Sequence, residues 1–135
     1  MKILSSLLFF FIFFGVSCKA CTPVVTTSSD SVASANKRDS IATQLVNNLA
    51  KKSYKEATKD FGAQMKVVLT AEKLKVDWEK FLRIYGAFEK VITISSTLQN
   101  GHMLVKQRCK FGNDNANVLI TFSDENRVIG LYFKP

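Results

Sequence analysis

Apolar residues follow three different spacings along this chain. They run together near the start, recur every three or four positions through the middle, and alternate with polar residues toward the end. In the middle region Ile41, Leu45 and Leu49 stand four apart with Val46 beside them, which predicts a helix with one apolar stripe. Ordered structure is expected to begin near Asp39 or Ser40, either of which can accept a hydrogen bond from the free amides of a first turn. Ala57, Phe61, Met65 and Leu69 repeat the four-residue interval and predict a second helix. A third is predicted from Thr70 as cap, with Glu72 near the positive end of the helix dipole. It carries Leu74, Trp78, Phe81, Leu82 and Tyr85, and Gly86 supplies the residue that ends it.

Beyond Gly86 the period becomes two. "EKVITIS" is rich in β-branched residues, and "QNGH" holds the Asn-Gly pair of a tight hairpin turn. The returning strand places Met103, Val105, Cys109 and Phe111 on one side, interrupted by Gln107, and His102, Lys106, Arg108 and Lys110 on the other. "GNDNAN" and "SDENR" are further turns, and "VLITF" and "VIGLYF" the third and fourth strands. Helices followed by an antiparallel meander predict an α+β fold, N-terminal helices packed on a curved antiparallel four-stranded sheet. At 135 residues the chain has room for one modest core, and residues 39–135 are expected to form that single domain.

The first apolar run belongs to a different function. Lys2 precedes an apolar stretch of about 14 residues, Ile3 to Val16, which holds five of the eleven phenylalanines and inflates the mean hydropathy of +0.06. That is the length of an export-signal core and short of the ~20 residues of a membrane-spanning helix. Gly15-Val16-Ser17 leading into Cys18 resembles the lipobox of bacterial lipoproteins. The resemblance implies removal of residues 1–17 and acylation of Cys18, and so an exported protein held to a membrane by its N-terminal lipid; plain secretion is the alternative. Residues 18–38, rich in Ser, Thr and Ala, then read as a flexible linker. Cys21 in that linker and Cys109 on a strand are expected to stay unbridged.

The stretch from Phe61 to Val91 and the closing "VIGLYFKP" resemble the domain-of-unknown-function family 3887, through Phe61, Met65, Leu69, Leu74, Trp78, Gly86 and Gly130 to Phe133. The resemblance implies a nuclear-transport-factor-2-like, or cystatin-like, cone. Members often precede an α/β-hydrolase domain, but these 135 residues contain no G-x-S-x-G nucleophile elbow.

Catalytic chemistry is thinly supplied. His102 is the one histidine, and Cys109 lies seven residues along the same strand, roughly 23 Å away and on the opposite face. Neither a catalytic constellation, a metal site nor a cofactor is expected. Asp60, Asp77 and Glu79 fall in helical segments, and Asn113 to Asn115 suit a turn. The candidate apolar pocket comprises Phe61, Met65, Trp78, Tyr85 and Phe88, on the analogy of cones that leave a cavity between helix and sheet; packing in a solid core is the competing reading.

The formal charge is +8, and from Asp39 onward fifteen Lys and Arg face ten Asp and Glu, a balance of +5. Lys106, Arg108 and Lys110 line one strand face without the interleaved aromatics of a nucleic-acid platform, so no nucleic-acid partner is expected. These residues with Tyr132 form the candidate contact surface, which could also remain a solvated face. The expected function is a non-enzymatic binding module for an apolar small molecule or peptide. The alternative is a homodimer or envelope-protein interaction through the outer sheet face, with Leu104, Leu119, Val128 and Tyr132 among the basic residues; a small hydrolase or isomerase is the least favoured.

Overall fold

The computed structural model describes residues 29–135 apart from 113. The signal expected over 1–17, Cys18 and most of the linker therefore lie outside the described residues. Among those described, no helix is long and apolar enough to cross a membrane.

Helix α1 runs Ser29–Ala50 and begins ten residues before the expected cap at Asp39. Residues 29–38 thus belong to a helix and not to the linker. They lack an apolar stripe, which hid them from periodicity, but they also lack Gly and Pro and contain the good helix formers Ala33, Ala35, Lys37 and Arg38. From Ala42 onward α1 buries Ala42, Leu45, Val46 and Leu49. It ends where Lys52 takes a left-handed φ of 60° and the Ser53 N–H donates to the Asn48 carbonyl at 2.8 Å.

The second expected helix is two short ones. Helix α2 spans Tyr54–Ala57 and α3 spans Ala63–Val68. Between them the chain turns extended, and Phe61 forms a parallel bridge with Val128. Pairing with sheet backbone outweighs continued helix here, because Phe61 reaches the core by either route while Gly62 weakens the helical alternative. Helix α4, Ala71–Tyr85, matches the expectation: Thr70 accepts a hydrogen bond from the Lys73 N–H at 3.4 Å, and Gly86 ends it at φ 85°.

Four strands follow, β1 Phe88–Gln99, β2 His102–Phe111, β3 Asn115–Phe122 and β4 Val128–Lys134. They form one antiparallel sheet in the order β1-β2-β3-β4. The β1–β2 turn is the Asn100-Gly101 pair, with φ of 52° and 80°, the positive pair that a two-residue hairpin needs. The result is the expected α+β arrangement, with the helices on one face of an open four-stranded sheet.

The core lies between them. Val105, Cys109, Phe111, Val118, Ile120, Phe122, Val128 and Leu131 meet the buried residues of α1 and α4. Each fully buried large apolar side chain contributes about 1.5–3 kcal/mol relative to exposure. Val128, expected on the outer face, is fully buried. The register slips between Thr121 and Phe122, so Gly130 and Val128 pair with consecutive β3 residues and Ile129 is the extra one. That bulge puts Val128 on the same face as Leu131.

Candidate functional site

The bulge has a second effect: it turns Ile129 out toward α3, at the free edge of the sheet. Strand β4 is an edge strand, and among the described residues only the Phe61 bridge at Val128 pairs beyond it. Further along, α3 lies against β4 without completing a strand pair, and a groove opens between them. One part, of about 520 Å³, is lined by Met65, Val68 and Leu69 on the helical side and by Ile129 to Phe133 on the strand. A second, of about 570 Å³, runs from Phe61 to Lys66 and along Ser123, Glu125, Arg127 and Ile129. The two share Gln64, Met65 and Ile129 and so form one track along the sheet edge.

Large apolar side chains are exposed along this track. Val68 is 68 % exposed, Tyr132 59 % and Ile129 39 %, and Val67 and Val76 are also exposed nearby in the sequence. Polar side chains sit among them: Gln64 and Asp77 in the first part, Lys66, Glu125 and Arg127 in the second. Gly130 leaves room between Thr121 and Tyr132, since a Cβ there would stand 3.2 Å from Thr121 Oγ1 and 3.3 Å from the Tyr132 ring.

Of the five candidate pocket residues, Phe61 and Met65 reach the groove, while Trp78, Tyr85 and Phe88 belong to an aromatic cluster. Met65 is half-buried in the wall of the groove, and Phe61 borders it from the core. Trp78 is fully buried at the centre of an aromatic cluster. Its ring lies 5.4 Å from that of Phe133, 6.0 Å from Phe111, 6.1 Å from Phe81 and 6.4 Å from Phe88. Tyr85 packs on Phe81 with centroids 4.4 Å apart. Trp78 therefore packs between helix and sheet as the solid-core reading has it, because four aromatic neighbours converge on it. The groove residues that periodicity missed are Val68, Ile129, Leu131 and Phe133. Their signal was an excess of apolar residues over one stripe in "MKVVL", and two adjacent apolar residues in "VIG" where strict alternation allows one.

Lys106, Arg108, Lys110 and Tyr132 do share the outer sheet face. Lys106 pairs with Leu119, which pairs with Tyr132, so the three stand in one row across β2, β3 and β4. Arg108 heads the next row, through Asn117 to Lys134.

The remaining reactive groups are dispersed. His102 is exposed at the hairpin turn, while Cys109 is buried and unbridged. Burial pushes the Cys109 thiol up from 9.0 to about 11, so at neutral pH it is protonated and a poor nucleophile. Burial, and secondarily the Glu79 carboxylate, also raise the Tyr54 hydroxyl above its usual value. Among the described residues no three His, Cys, Asp or Glu side chains come together as a metal site.

Phe61, Met65, Leu69 and Gly130 to Phe133 at the groove, and Trp78 in the aromatic core, are among the residues that carry the family resemblance. The family described as Protein of unknown function (DUF3887) matches residues 42–131, two thirds of the chain. The chain belongs to this family. The match runs from the buried half of α1 to Leu131 in β4, so it takes in the core, α3 and all but the last three residues of β4. No curated protein and no solved structure matches the chain.

Proposed function

We propose that this DUF3887 protein is a non-enzymatic binding module of the bacterial envelope, tethered through acylated Cys18, which takes an extended apolar peptide segment along the edge of β4. The observation that carries the reading is the groove between α3 and β4, where exposed Val68 faces Ile129 and Tyr132 of an edge strand that has no further strand beyond it among the described residues. An extended chain laid there gains main-chain hydrogen bonds from a sheet edge and side-chain contacts in the flanking apolar wall. A peptide fits better than a compact small molecule, because the track follows the strand and the interior of the fold is occupied by Trp78 and its aromatic neighbours. The helices-on-sheet arrangement agrees with a nuclear-transport-factor-2-like cone whose usual interior cavity is filled. The protonated Cys109 and the distance of His102 from it support the non-enzymatic reading.

Native mass spectrometry of the protein extracted from the envelope tests both parts. The expected spectrum shows a mature chain beginning at acylated Cys18 and a co-purifying peptide that Met65→Glu strips away. An unmodified Cys18 removes the tether, and retention of the peptide by Met65→Glu removes the groove.

A further inference from the structure

The outer face of the sheet carries a separate feature that the groove leaves unexplained. The register aligns Lys90 with Lys110 and Asn115, Arg108 with Thr93 and Asn117, and Asn117 with Lys134. Lys106 stands in the adjoining row between Ser95 and Leu119. Five cations therefore occupy one face toward the β2–β3 end, and the register-paired residues of that face include no carboxylate. The nearest acids by sequence are Glu89, in the bulge between Phe88 and Lys90, and Asp114, in the turn. Strand spacings of ~4.8 Å and ~7 Å between alternate residues keep the cations within one compact patch. Beside them Leu104 and Leu119 are half-buried and Tyr132 is exposed, an aromatic with an apolar body and a polar tip of the kind that sits at a lipid–water boundary.

From this we infer that the outer sheet face docks on an anionic lipid surface, with Lys90, Lys106, Arg108, Lys110 and Lys134 over the headgroups and Tyr132 at the boundary. Charge complementarity selects this occupant over a second copy of the chain. In a two-fold pairing through the same face the patch would meet itself and set cation against cation. In the docked pose the helical layer points away from the membrane, and the groove at the β4 edge stands at its rim. The inference does not depend on what the groove binds or on acylation of Cys18.

The test is amine-acylation footprinting of the full chain, read lysine by lysine by mass spectrometry. The chain is mixed with vesicles of phosphatidylcholine alone or with added phosphatidylglycerol. Lys90, Lys106 and Lys110 are expected to label several-fold more slowly on the anionic vesicles, while exposed Lys75 and Lys80 of the helical layer label equally on both. Raising salt to about 0.5 M should erase the difference. So should Lys106→Glu with Arg108→Glu, since each basic residue near such a surface contributes roughly fivefold to binding. Equal labelling on the two vesicle types overturns the inference. Protection of the same lysines without vesicles, growing with protein concentration, assigns the face to a second copy and overturns it too.

Discussion

Phe61 and Val128 form a single parallel bridge that ties the helical layer to the free edge of the sheet. The Gly62 N–H donates to the Val128 carbonyl at 2.8 Å, and the Val128 N–H donates to the Asp60 carbonyl at 3.0 Å. This pair of bonds does what the expected continuous helix could not: it fixes the buried Phe61 to the sheet edge and starts α3 anew beyond Gly62, beside the groove.

The bridge can be tested at Gly62. Its φ of −62° suits proline, but the proline ring would occupy the place of an N–H that points at the Val128 carbonyl 2.8 Å away. Gly62→Pro should therefore part the bridge and destabilise the fold by more than about 1–3 kcal/mol, the effect of leaving that carbonyl unpaired. A Cβ at this position would lie 3.5 Å from its nearest neighbours, so Gly62→Ala should be neutral or slightly stabilising. Urea denaturation of the two variants separates these outcomes, and equal midpoints would mean the bridge contributes nothing.

Trp78 should behave as a core residue with one defect. Trp78→Ala is expected to cost about 3–5 kcal/mol, a large part of the stability of a domain this size. The indole N–H, however, is buried without a partner among the described residues. Trp78→Phe removes that donor along with the excess volume, so a gain of about 1–3 kcal/mol offsets part of the cavity cost. The thermal midpoint of Trp78→Phe should accordingly lie much nearer to that of the unaltered chain than to that of Trp78→Ala. If the two variants melt together, the N–H carries no penalty.

The parts of this fold legible in the sequence are those where one physical signal acts alone. Thr70, Gly86 and Asn100-Gly101 mark ends and turns by local backbone chemistry, and each does so in the structure. The stripe from Leu74 to Phe81 and the alternation from Val105 to Phe111 report burial directly. Misreadings arose where two signals compete. Phe61 has a helical interval to its neighbours but is claimed by a non-local bridge, and Val128 alternates outward until a bulge reverses it. The helical start at Ser29 is silent because propensity without amphipathicity leaves no period. The groove is a gap between elements, and its walls show in sequence only as apolar residues in excess of what one face can bury.

Gln107 interrupts an otherwise apolar strand face and is fully buried. Its Nε2 donates to Thr43 Oγ1 at 3.5 Å, a long bond, and its Oε1 has no partner among the described residues. Thr43 keeps its own bond to the Asp39 carbonyl at 2.8 Å whatever stands at 107. Gln107→Met preserves length and removes the unpaired acceptor, so it should be neutral or stabilise by up to about 1–2 kcal/mol. A loss of more than that in chemical denaturation would show that Gln107 holds α1 on the sheet through a stronger contact than its distance implies.

Cys109 makes stability depend on alkaline pH. Burial raises its thiol from 9.0 in the free group to about 11 in the fold, so the unfolded chain loses this proton first as pH rises. The contribution is fully present below pH 9 and declines between about 9 and about 11, because the folded state then holds a proton that the unfolded state has released. Cys109→Ala removes this dependence at the cost of a small cavity. Urea midpoints at pH 8 and pH 10 should therefore fall further for the unaltered chain than for Cys109→Ala, and thiol-reactive reagents should modify Cys109 only as fast as the domain opens. Rapid modification of the folded protein at neutral pH would place the thiol in solvent and remove the basis for both expectations.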